Sequence, residues 1–192
     1  MHRSMTATAT TVAGLLLLAP GPGYADGRNF EARLSGFQEV HGPNLGIGAI
    51  FSSGAGRIDL KIDRKKREIR YDLSYDFPDA DATPVAGTQF VNQAHLHFGQ
   101  SHTTGGITVW LCQSADNPAP ATAPDTPACP SPSGKVSGTI LPQHVLGVPA
   151  QGLPAGEDGF DALLKALRDD AIYANVHTDR FPPGEIRGQL DD

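Results

Sequence analysis

The sequence predicts an all-β fold, an antiparallel β-sandwich or barrel of short strands with one short helix near the C-terminus. Three observations carry this. Most segments alternate apolar and polar residues with period two and are separated by Gly, Pro and Asn. One pair of such segments, GRIDLKID and REIRYDLSYDF, flanks a charged turn and reads as a hairpin. Only EDGFDALLKALRDD changes period, with Phe160, Leu163, Leu164 and Leu167 at helical spacing.

In chain order, residues 1–25 come first. His2 and Arg3 precede an apolar run over residues 12–19, and a Pro-Gly stretch ends at Tyr24-Ala25. This predicts a secretory signal peptide over 1–25, too short in its apolar part to span a membrane, and a single β domain over 26–192. No cysteine follows the run, which disfavours a lipoprotein anchor. The segment holds Arg3 and no acid, so its removal takes the formal charge from −6 to −7 and argues against a nucleic-acid partner.

NFEARLSGF reads as the first strand. In the hairpin, Ile58, Leu60 and Ile62 share one face, as do Ile69, Tyr71, Leu73, Tyr75 and Phe77, and the basic residues 64–67 form a solvated turn. The later strands are TQFVNQAHLHFG, GGITVWLC, GKVSGTIL, AIYANVH and GEIRGQL. Asp158 is placed to cap the helix. Export makes a disulfide between Cys112 and Cys129 the expected state, closing a Pro- and Ala-rich loop and adding roughly 3 kcal/mol. Without CxxC spacing, metal thiolates are disfavoured.

Alternation divides three strands in the same way. Ala94, Leu96 and Phe98 take one face and Gln93, His95 and His97 the other. Ile172, Ala174 and Val176 oppose Tyr173, Asn175 and His177; Ile186, Gly188 and Leu190 oppose Glu185, Arg187 and Gln189. TDRFPPG makes the last two strands hairpin neighbours, and if the strand with His95 lies alongside, three imidazoles converge.

AHLHFGQ, GGITVWLC, FDALLKALRDDAIYANVHT and PPGEIRGQL resemble the chordin-domain (CHRD) family, found in the extracellular antagonist chordin and in exported microbial proteins. With LSGFQEV near the start, the resemblance covers residues 30–190 and implies an all-β domain and export. The chain departs from the family pattern by adding His41 and His102, two further histidines that a metal site could draw on.

The polar faces admit three readings. His95, His97 and His177 can hold a transition metal, copper before zinc, with Asn175, Glu185 and Arg187 supporting them. They can instead form a structural network in which Glu185 and Arg187 pair. Or Arg187 and the imidazoles can take a small anion. These lead to a metal-binding exported domain, to a scaffold for an extracellular protein partner, or to a copper-dependent redox enzyme, the metal protein coming first. Periplasm or external medium is the expected compartment, and the oligomeric state is left open. No nucleophile-elbow or phosphate-loop motif points to other chemistry.

Overall fold

A computed structural model describes residues 28–41, 48–78 and 90–192. The expected signal peptide lies outside the described residues. Eight strands form one antiparallel sheet: β1 (Asn29–Ser35), β2 (Ala55–Asp63), β3 (Glu68–Asp76), β4 (Val91–Phe98), β5 (Gly106–Cys112), β6 (Gly134–Ile140), β7 (Ile172–Thr178) and β8 (Ile186–Gln189). A helix, α1 (Gly156–Arg168), precedes β7. The spatial order is β5-β4-β7-β8-β1-β2-β3-β6. The sheet curls until its edge strands β5 and β6 approach each other, so the choice between sandwich and barrel is settled as a nearly closed barrel. Across the remaining seam, the Tyr71 hydroxyl donates to the Leu111 carbonyl at 2.7 Å.

Alternation decides which residues fill the interior. Phe30, Ala32 and Leu34 of β1 are buried while Asn29, Glu31 and Arg33 are exposed. Ile58 and Leu60 of β2 pair with Leu73 and Tyr71 of β3, and all four join one hydrophobic core. From α1, Phe160, Leu163 and Leu167 enter that core.

One local expectation changes. The helix begins after Ala155, which makes no side-chain cap; Asp158 instead lies in the first turn with Glu157. There both acids face the positive end of the helix dipole. The turn at 64–67 is solvated as its composition suggests, with Arg64, Lys65 and Lys66 exposed. Arg67 donates to Glu157 and Asp161 at 3.0 and 3.1 Å and ties the hairpin to α1.

Candidate metal centre

Register brings the histidines together. β4 pairs antiparallel with β7, setting His95 against Asn175, His97 against Tyr173 and Gln93 against His177. β7 pairs with β8, setting Asn175 against Arg187. On its other side β4 pairs with β5 through two register shifts, around His95-Leu96, that leave Leu111 and Thr108 without partners. Such bulges twist a strand and re-aim its side chains. His95, opposite Trp110, packs against that indole with ring centroids 4.3 Å apart.

The face that carries these groups points away from the core and is nonetheless buried. Three segments cover it. Residues 99–105 are held by Arg187, which donates to the carbonyls of Thr103 and Gln100 at 2.8 and 3.0 Å. The turn after β7 is held by Thr178, whose hydroxyl donates to Glu185 at 2.6 Å and accepts the Phe181 N–H at 3.0 Å. The third segment, through Glu39 and His41, is fixed where His41 Nε2 donates to the Gly184 carbonyl at 2.9 Å. Gly184 has φ +133°, and a Cβ there would stand 2.6 Å from Glu39 Oε2, so this close approach requires glycine.

Hydrogen bonds fix the tautomers. His97 Nδ1 donates to the Gly105 carbonyl at 2.9 Å, and His177 Nδ1 to the Pro182 carbonyl at 2.8 Å. A carbonyl only accepts, so in the neutral rings both Nε2 atoms carry lone pairs. Burial holds both rings neutral, lowering His97 and His177 to about 4, and pushes His95 well below its usual range, with help from its two neighbours. His95 Nδ1 lies 3.2 Å from His177 Nε2. The Nε2 atoms of His95 and His97 are buried without a hydrogen-bond partner among the described residues.

One ligand atom from each ring lies within 4.8 Å of the others. Metal–nitrogen bonds of about 2.0 Å in a tetrahedral site need nitrogens about 3.3 Å apart. The separation of 3.2 Å between His95 Nδ1 and His177 Nε2 already meets this, and the third ring offers an atom within 4.8 Å of both. Asn175 Oδ1 adds a fourth atom, 3.0 Å from His177 Nε2. An oxygen facing a lone pair is unfavourable; a cation between them, or a turn of the amide, relieves it. The donor set, with the orphaned His97 Nε2, therefore fits a transition-metal ion.

Around this centre, the other expected residues separate. Glu185 accepts from Ser52 at 2.5 Å and from Thr178, while Arg187 spends its donors on loop carbonyls. The expected Glu185–Arg187 ion pair is thus replaced by two separate roles in holding loops. The Arg187 guanidinium lies 3.4 Å from the Tyr173 ring centre, and Tyr173 stacks on His97 at 4.8 Å with planes 7° apart. Arg187 therefore bears on the imidazoles through a ring. Neither His41 nor His102 belongs to the three-histidine group; His41 is bonded to Gly184, and His102 is exposed in a turn with φ +63°.

Sequence reasoning missed Glu39. Its carboxylate is buried, with Oε1 accepting the Val40 N–H and Oε2 lacking a partner. Burial raises its pKa, opposed by the Val40 bond and by the nearby His41 and Arg187. It lies in the LSGFQEV stretch just after the short 3-10 turn that follows β1, where no local pattern in the sequence marks it.

The chain matches the CHRD domain family over residues 30–190. It belongs to that family. No curated protein and no solved structure matches the chain. The CHRD match spans every strand and both halves of the histidine cluster, from AHLH on β4 to NVHT on β7. Within this CHRD domain Cys112 and Cys129 form a disulfide, with Cα atoms 5.0 Å apart. No helix among the described residues is long and apolar enough to cross a membrane.

Proposed function

We propose that this CHRD domain binds one transition-metal ion, copper before zinc, through His95, His97 and His177, and that it works outside the cytoplasm after loss of residues 1–25. The observation that carries the reading is the commitment of Nδ1 to a backbone carbonyl in both His97 and His177. It turns two Nε2 lone pairs toward His95 in a buried space where His97 Nε2 has no other partner. All three rings are neutral near pH 7, the state a metal needs. Copper leads because imidazole ligands favour it in the divalent series. Three histidine ligands leave the fourth position to Asn175 Oδ1 or to an exchangeable ligand, which suits storage, delivery or one-electron chemistry. Export is supported by the signal-like start and by the disulfide.

The test is elemental analysis of mature protein purified without chelator and titrated with copper and zinc, beside His95→Ala/His97→Ala and His177→Ala. Near one ion per chain, lost in the variants while the fold survives, supports the reading. Background metal in all samples makes the cluster a structural network.

A second reading, a module that docks a protein partner, is favoured by one observation. Phe37 and Phe51 are exposed, 67% and 90%, and meet edge to face at 6.2 Å. It requires Phe37→Ser/Phe51→Ser to abolish association while leaving metal content unchanged.

A further inference from the structure

The barrel leaves a seam between β5 and β6, and a cavity of about 280 Å³ occupies it. Its apolar walls are Tyr71, Trp110, Ile140, Ala123 and Pro127. The last two come from the Pro- and Ala-rich loop between the cysteines, which has no hydrophobic pattern of its own. That loop is nevertheless well held. Gln113 donates to the Thr126 carbonyl and accepts the Ala119 N–H, its backbone pairs with Pro127 and Cys129, and the disulfide closes the base. The opposite wall depends on Gly138, where a Cβ would come within 2.6 Å of the Tyr71 ring.

The polar groups narrow the ligand. Ser137 is spent on Asp72 and the Thr126 hydroxyl on the Ala123 carbonyl. The Tyr71 hydroxyl is committed across the seam. Asp125, Thr139 and His144 remain on the rim. His144 Nδ1 accepts the Leu141 N–H at 3.3 Å, so the neutral ring carries its hydrogen on Nε2, a donor with no partner among the described residues. Asp125 repels carboxylates. Too few free groups remain for a sugar, which needs many paired hydroxyls. The volume, slightly below that of drug-sized sites, admits one substituted ring.

We propose that the seam cavity binds a single-ring phenol, its ring against Trp110 and its hydroxyl accepting from His144 and donating to the rim. This does not rest on the metal reading. Trp110 is also the wall between the cavity and His95, so a bound ring would lie one indole away from the histidine cluster.

The experiment titrates chelator-treated protein with p-cresol, followed by the emission of Trp110, the chain's single tryptophan, and by ligand-observed saturation-transfer NMR. Saturable binding is expected with a dissociation constant on the order of a millimolar or tighter. Thr139→Phe, at an exposed rim position, should weaken it about tenfold or more with an unchanged melting temperature. His144→Ala should weaken p-cresol and leave toluene unaffected. No saturable response in the wild type, or binding that Thr139→Phe leaves intact, overturns the proposal.

Discussion

Acid should destabilise this domain well above the range where carboxylates titrate. His97 and His177 have pKa values of about 4 in the folded chain, against 6.5 when exposed. Between these values the unfolded chain binds more protons than the folded one, so stability falls as pH drops through that window and levels off below about 4. Taking the metal-free protein from pH 7 to pH 4.5 costs roughly 2 to 3 kcal/mol for each ring, about 5 kcal/mol for the two. His95 acts in the same direction. Glu39 opposes them, because its raised pKa means the folded chain takes up a proton first as pH falls. A loss near 5 kcal/mol is a large part of a domain's total stability. Urea unfolding at half-unit pH steps measures it, with His177→Gln as control. The wild type should lose most of its stability by pH 4.5, and the variant should show a shallower slope between pH 6.5 and 4. A wild-type curve flat down to pH 5 that falls only below 4 would refute the claim that these rings are held neutral by burial.

Cys112→Ser/Cys129→Ser should lower stability by about 3 kcal/mol, the loop-closure value for a separation near 17 residues, read by urea denaturation. Arg187→Lys keeps the charge but loses the fork that reaches two carbonyls, so residues 99–105 should become cleavable by protease while the barrel stays folded by circular dichroism. Glu39→Gln removes a buried carboxylate that is costly once ionised. The variant should gain on the wild type as pH rises above 4.5, the value for an exposed carboxyl of this type, measured by urea midpoints; a constant difference would place the titration elsewhere.

Much of this was legible locally. Period-two alternation placed His95 and His97 on one face and Leu96 on the other, because side-chain direction in a strand is a property of the strand itself. The β7–β8 hairpin was legible in TDRFPPG for the same reason. The pairing of β4 with β7 was not, since it joins residues some 80 positions apart and no local signal encodes it. Barrel closure likewise depends on accumulated sheet twist. Glu185 and Arg187 share a face at i and i+2, which suggested an ion pair. Loop carbonyls and the Ser52 and Thr178 hydroxyls are their partners instead, and those come from segments whose positions only the tertiary fold determines. Glu39 escaped notice because it lies outside any strand and has no periodicity to place it.

The distance along the chain between the histidines also determines when the clamp comes into being. His95 and His177 are 82 residues apart, and the covering segments come from both ends of the described chain. The three histidines meet only once β4 and β7 have paired. If the cluster takes a metal, the site for it is complete only once the last strands have docked, so the ion would be drawn from the compartment where folding finishes. A chain delivered unfolded across a membrane would arrive empty and choose its metal on the far side.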